Sequence, residues 1–325
     1  MKNIEKVRLA CALLRIKLLK KRIPLIVSWS LTYRCNHKCL YCGIWEKTSD
    51  ELSNEQIFSL IDQMAAAGTQ RIHFTGGEPL LRDDIDKILI YCKKKGISTA
   101  LNSNGFLIPE KIKSLINLDL LSLSLDGPEA VHDSIRGKGS YQQVMGAIEA
   151  AKKNNIKIKI ITVLSKLNLG HIDFILHKAQ ELKIPVTFQP TTISVLEGSK
   201  PNSIAAIKEE YNQAVSYLIK EKRKNKYIGN SCSGLKHLYD WPSPSKISCV
   251  NSRIICRLEP DGRLYGCNDY KNKGLAVDCI TLGFKKAFDS LVPFACDECW
   301  CASLVELNCL FAIKLDTVFS IIKLI

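Results

Sequence analysis

Cys35, Cys39 and Cys42 stand in the run Arg34-Cys35-Asn36-His37-Lys38-Cys39-Leu40-Tyr41-Cys42, spaced C-x3-C-x2-C. Three thiolates on so short a loop can hold three corners of an iron–sulfur cubane. The fourth iron then lacks a protein ligand, and an open coordination position is what a metal needs to bind and activate a small molecule. A zinc site completed by a remote ligand, or three unrelated thiols, are the readings the spacing leaves open beside it.

A second group of cysteines lies far downstream. Cys249 is followed by twelve residues, Gly262, four more residues and Cys267. The stretch between, Leu258-Glu259-Pro260-Asp261-Gly262-Arg263-Leu264-Tyr265, reads as a β-hairpin turning at Asp-Gly. Cys296-x2-Cys299 follows, and a hairpin with two thiols plus such a pair makes a four-cysteine site, for a cluster or for structural zinc. Cys232, Cys256, Cys279, Cys301 and Cys309 are left over, enough to leave open a second downstream cluster. Cys256 alternates with apolar strand residues and reads as core, and Cys11 and Cys92 lie on helical patterns.

The elements that must position these groups alternate. Ile23 to Thr32 is an apolar, β-rich strand, and the first cysteine loop follows it immediately. Ser53 caps a helical pattern running to Ala67 and closed by Gly68. Strands are expected over Arg71–Thr75, Ser98–Asn102, Leu120–Leu125, Ile156–Leu164 and Val186–Pro190. Helices are expected over Asp83–Lys95, Pro109–Asn117, Ser140–Asn154 and His171–Leu182. The Lys–Ile alternation of Ile156–Leu164 fits a strand with one solvated face, or a barrel end. Repeated βα units imply a parallel sheet with helices outside, and right-handed crossovers curl it into a full or partial barrel. Chemistry in such barrels gathers at the carboxyl ends of the strands, where the Gly, Asn, Asp and Cys residues of this chain fall. One long Lys-rich helix is expected over Asn202–Asn225. Residues 231–309 then hold nine of the fourteen cysteines, as a smaller metal-stapled module would.

The chain has 325 residues, 46% hydrophobic and 24% charged, which suits one large domain with an appendage. No secretory signal and no long uncharged apolar run is visible, so reduced or metal-binding cysteines and a cytoplasmic setting are expected over disulfides. The net charge of +14 is compatible with an acidic redox partner, an anionic substrate, an anionic membrane surface or nucleic acid. It is equally compatible with lysines on solvated helix faces, and the reading adopted includes no specific nucleic-acid partner. Residues 1–22 carry eight basic side chains and one acid, as a basic amphipathic helix packed on the domain or lying at the inner face of a membrane would. The apolar tail 304–325 invites the same two readings.

The cysteine loop, with an aromatic residue before its last cysteine, resembles the signature of the radical S-adenosylmethionine superfamily, and the features from Ile23 to about Gln189 follow in the family's order. The resemblance implies a partial (β/α)6 TIM-like barrel over residues 23–228. It implies that Cys35, Cys39 and Cys42 hold a [4Fe–4S] cluster whose open iron chelates S-adenosylmethionine. Reductive cleavage then gives a 5′-deoxyadenosyl radical, which abstracts hydrogen from a substrate. Gly76-Gly77-Glu78-Pro79 looks like the family's GGEP motif, with glycines for close approach and Glu78 as an acceptor near the ligand ammonium. Tyr41, Asn102 in Asn102-Ser103-Asn104-Gly105, and Ser122, Ser124 and Asp126, spaced to share one face, are expected in the cofactor pocket. Arg136 resembles the arginine that pairs with the cofactor carboxylate, an exposed loop arginine being the alternative. Asn168 and Gln189 are weaker candidates.

The C-x12-G-x4-C run resembles the opening of the SPASM and twitch extensions, here residues 229–303. That implies an auxiliary [4Fe–4S] cluster on Cys249, Cys267, Cys296 and Cys299. The gaps of two, one and seven between Cys296, Cys299, Cys301 and Cys309 depart from the full SPASM pattern. A flavodoxin or ferredoxin reductant is implied, and a net oxidation or cross-link of an unidentified peptide, protein side chain or sugar-like molecule. A lipid-linked substrate and a non-catalytic electron-transfer or activator protein are the alternatives. Only about 22 residues precede the first strand, so a leader-peptide recognition domain is not expected.

Overall fold

The computed structural model describes residues 16, 21–195, 200–243, 247–267, 275–293, 299–312, 314, 316 and 317. Cys11, Cys296, most of the basic amino-terminal segment and the end of the apolar tail lie outside the described residues.

Six strands pair in parallel in chain order: β1 (Ile26–Thr32), β2 (Arg71–Gly76), β3 (Ser98–Ser103), β4 (Leu120–Ser124), β5 (Ile158–Leu164) and β6 (Val186–Pro190). The helices Asn54–Ala66, Ile85–Lys94, Ser140–Lys153 and Ile172–Leu182 make the main crossovers. This is the α/β, partial (β/α)6 architecture implied by the alternation. Residue period decides which face is which. On β1, Val27, Trp29 and Leu31 are buried among helix residues such as Ile57, Leu60, Ile61 and Met64 in the main core. Ile26 and Ser28, on the other face, line an internal cavity instead.

Local signals set the helix ends. Ser53 Oγ accepts from Gln56 N, and Gln56 Oε1 accepts from Ser53 N, which completes a capping box at the start of Asn54–Ala66. The expected Asn202–Asn225 helix begins later, at Lys208. The reason is that Asn202 Oδ1 accepts from Ile204 N while Asn202 N bonds Ile193 O, which holds that stretch in a turn. Pro109–Asn117 breaks into a single α-turn, Ile108–Lys111, and a 3₁₀ turn, Ile112–Leu115. Four helices were not anticipated, Glu129–Arg136, Cys232–Tyr239, Cys279–Leu282 and Phe284–Ser290.

The Asp-Gly hairpin forms between β7 (Ile255–Leu258) and β8 (Arg263–Tyr265), and β9 (Val277–Asp278) pairs with β8. Gly262 at the turn has φ +85°, a conformation that favours glycine. β7 lies parallel against β1, so the cysteine-rich segment extends the barrel sheet in the order β6-β5-β4-β3-β2-β1-β7-β8-β9. A second apolar cluster, including Leu25, Val250, Ile254, Ala302 and Val305, packs under this segment and takes in Ile16. Arg22 donates to the carbonyls of Ser252, Phe288 and Leu291 and anchors the chain entering β1. Among the described residues no helix is long and apolar enough to cross a membrane.

Candidate active site

The first cysteine loop leaves the carboxyl end of β1 and is seated on the loop that follows β2. Gly77 N donates to Thr32 O and Glu78 N to Arg34 O, both at 2.8 Å. A Cβ on Gly77 would stand 2.1 Å from Arg34 O, and one on Gly76 2.2 Å from Thr32 O. The glycines of Gly76-Gly77-Glu78-Pro79 therefore admit the backbone of the cysteine loop itself, a closer partner than the ligand that the sequence suggested. Cys42 N bonds Cys39 O, Leu40 N bonds Ile135 O, and Trp45 Nε1 bonds Cys42 O at 2.8 Å. So held, Cys35, Cys39 and Cys42 all line one cavity of about 690 Å³.

Burial pushes the Cys35 and Cys42 thiols up, to about 11 and about 12, and raises Cys39 as well. A bound metal cation is what would hold such thiols as thiolates near neutrality. Among the described residues no three His, Cys, Asp or Glu side chains converge as the ligands of one ion do. A cubane makes no such demand, because each thiolate meets its own iron. Three thiols from one short loop on one cavity wall fit that group.

Glu78 is buried, and its carboxylate accepts from Leu80 N (3.2 Å), Ser103 Oγ (3.1 Å) and Asn104 N (2.9 Å). Burial lifts its pKa to about 7, against these three bonds. It thus fastens Pro79 and the turn after β2 to the end of β3. Of roughly four lone-pair directions on a carboxylate, three are taken by protein donors.

Ser122, Ser124 and Asn102 line the cavity, and Asn102 Oδ1 accepts from His73 Nε2 at 2.8 Å. Asp126 departs from the expectation. It lies beyond β4, is fully buried, and its carboxylate accepts from Arg136 Nε at 2.6 Å and from Val163 N at 2.9 Å. Its role is to hold Arg136, not to share a cofactor-facing row with the two serines.

Arg136 is likewise no exposed loop residue. It ends the helix Glu129–Arg136, is buried, stacks 5.4 Å from the centroid of the Tyr41 ring, and reaches within 4.0 Å of Cys39 Sγ. Burial opposes its charge, but Asp126, Tyr41 and Cys39 together outweigh that and raise its pKa. Asn168 is a structural clamp, with Nδ2 donating to Asp126 O and Val163 O. Gln189 lines the cavity and accepts from Ala302 N at 3.4 Å.

Cys249, Cys267 and Cys299 border the same cavity as the first trio, although they come from three separate chain segments. Asn308 knits two of those segments, with Nδ2 donating to Cys299 Sγ at 3.3 Å and Oδ1 accepting from Val250 N at 3.0 Å. Cys301, left over in the sequence, also borders the cavity, whereas Cys256, read as core, and Cys279, left open as a cluster ligand, are both buried in the core.

Sequence reasoning missed Arg71, His73 and Lys159, which line the cavity low on β2 and β5. Burial, and then the nearby Arg71, lowers Lys159 to about 8. Burial, and then Lys159, lowers His73 to about 4. The available signal was the Lys–Ile alternation of β5, with Lys159 and Ile161 on one face.

Residues 29–179 match the family model described as Radical SAM superfamily. The chain is similar to Fe-coproporphyrin III synthase of Methanosarcina barkeri, 32% identical over 212 residues, 63% of this chain and 53% of the relative. It is similar to the mycofactocin maturase MftC of Mycolicibacterium smegmatis, 26% identical over 255 residues, 75% of this chain and 64% of the relative. The chain thus spans about half to two thirds of the length of these relatives. In three dimensions it resembles anSMEcpe with bound AdoMet, with a TM-score of 0.67 at 20% identity, covering 82% of this chain and 78% of the other.

Proposed function

We propose that this chain is a radical S-adenosylmethionine enzyme, as the match of residues 29–179 to that family's model supports, and that it abstracts hydrogen from a substrate held in the cavity between the two cysteine sets. The observation that supports this is the single cavity: Cys35, Cys39 and Cys42 border it together with Cys249, Cys267 and Cys299. The first trio would hold the [4Fe–4S] cluster, and Cys249, Cys267, Cys296 and Cys299 an auxiliary one. When bound, these groups with S-adenosylmethionine supply the radical and electron-transfer chemistry.

The protein's own residues bind and orient. Gly76 and Gly77 fix the cysteine loop against β2. Glu78 has one lone-pair direction left for the cofactor's ammonium. Arg136, aimed by Asp126 and backed by Tyr41, brings a permanent cation to the cofactor's carboxylate. Ser124 offers the cofactor a polar contact from β4. The substrate is a small molecule or a peptide side chain that shares the cavity of about 690 Å³ with the cofactor. For a net oxidation the downstream cysteines would hold the iron–sulfur group that supplies an electron acceptor, and a flavodoxin or ferredoxin would be the reductant.

The test is anaerobic reconstitution with iron and sulfide, then dithionite and S-adenosylmethionine. The expected result is 5′-deoxyadenosine from the wild type and none above background from Cys39→Ala. Equal amounts from both proteins, or none from either, would refute the reading.

A further inference from the structure

The lower half of the cavity carries the positive side chains Lys159 and Arg71. Lys159, the second residue of β5, is 8% exposed and faces inward beside Ile161 and Val163. Among the described residues no carboxylate pairs with its ammonium, and the group of opposite sign that acts on it is the Cys301 thiol. Arg71, on the inner face of β2, bears on Lys159 across the cavity, and both bear on His73.

Pairing register brings neutral donors to the same level. Asn102 lies opposite Ser122, and Ser122 opposite Lys159, on three adjacent strands. Ser122 is 1% exposed, borders the cavity, and its hydroxyl has no hydrogen-bond partner. A buried hydroxyl left so is normally satisfied by a ligand or water. A buried ammonium without a counter-ion is costlier still, and its remedy is an anion.

We propose that Lys159 and Ser122, with Arg71 and Asn102 beside them, receive a carboxylate of the substrate at the depth of the cavity, so that the substrate class is an organic acid or a peptide presenting an acidic group. A carboxylate suits this site better than a phosphate. The floor is built from strands whose backbone N–H groups are used in the sheet, and buried phosphates draw on helix N-termini or backbone nests. Ser122, expected from its position to face the cofactor, then belongs to the substrate, and Ser124, one layer nearer the cysteine loop, stays with the cofactor. The assignment rests on the radical reading only in naming the bound acid a substrate.

The experiment is calorimetric titration of the full-length reconstituted protein with 4-phenylbutyrate, its neutral amide 4-phenylbutyramide, and phenyl phosphate. The wild type is expected to bind the acid at least tenfold more tightly than the amide. Lys159→Met should erase that preference, and Lys159→Arg should keep most of it, with circular dichroism confirming that both variants fold. Equal binding of acid and amide by the wild type, or a preference surviving in Lys159→Met, would overturn the proposal. Tighter binding of phenyl phosphate than of phenylbutyrate would overturn the choice of carboxylate. Formation of 5′-deoxyadenosine by the wild type is measured separately. Its absence with the acid preference intact would strike the radical reading and leave the anion site standing.

Discussion

The two cysteine sets border one cavity but are assembled by opposite means. The first comes from eight consecutive positions on one loop, and its geometry is fixed by neighbours in other βα units, above all Gly77 after β2 and Arg136 after β4. The second draws Cys249, Cys267 and Cys299 from segments far apart in the chain, and the Asn308 side chain bonds across two of them. A local set is positioned as soon as its loop closes. A dispersed set is positioned only by the finished tertiary structure, so it should fail more readily when packing is disturbed.

The widest separation of the two is expected from their cysteines. Cys39→Ala should lower 5′-deoxyadenosine formation by a factor of about 10³ or more, roughly 4 kcal/mol in barrier terms. Cys249→Ala should remove about four irons per chain, one cubane, while cleavage of S-adenosylmethionine persists. Iron analysis beside product chromatography reads both, and loss of cleavage in both variants would erase the distinction.

Next in size is Arg136→Met, which leaves Asp126 buried and unpaired beside the first set. Breaking such a pair costs about 3–5 kcal/mol, read by urea unfolding. A loss below about 1 kcal/mol would show that the first set does not depend on this support.

Glu306 tests the second region through pH. It is buried, accepts from Ser231 N at 2.8 Å, and burial raises its pKa from 4.5 to about 7. Between those values the unfolded chain has lost the proton that the folded chain keeps, so this group's contribution to stability falls as pH rises through the window. Glu306→Gln keeps an acceptor and should flatten that fall, by up to about 3 kcal/mol at pH 7. Parallel pH curves for the two proteins would show Glu306 to be inert.

The smallest effect expected is that of Asn308→Leu, about 1–3 kcal/mol from a buried amide N–H on Val250 left unpaired. Its iron content should fall by the auxiliary share alone. A fall in both shares would mean that the two sets are mechanically one.

The same contrast explains what could be read in advance. Val186–Pro190 and the Ser53 cap are legible because strand period and cap chemistry are local. The first trio and Glu78 are legible because their spacing is contiguous. Asp126 misled because a two-residue period was carried past the end of β4, where the backbone turns and the carboxylate meets Arg136. Arg136 was half-legible: its helix is only eight residues and has no side-chain cap to announce it. Lys159 was hidden for a different reason. Alternation shows that a strand has a polar face, but whether that face meets bulk water or an enclosed cavity depends on sheet curvature, which no local pattern records.

β1 is hydrogen-bonded on both sides, to β2 and to β7. Arg257 of β7 donates to Ser30 of β1 across 227 residues of sequence. Closing so long a loop is entropically slow, which sets this pairing among the later events of folding. The strand that leads into the first cysteine loop therefore gains its second neighbour only after the chain has been synthesised well past residue 258. Maturation has a built-in order: a partly made chain presents the cysteine loop, yet its seat is complete only when the carboxyl-terminal segment has arrived.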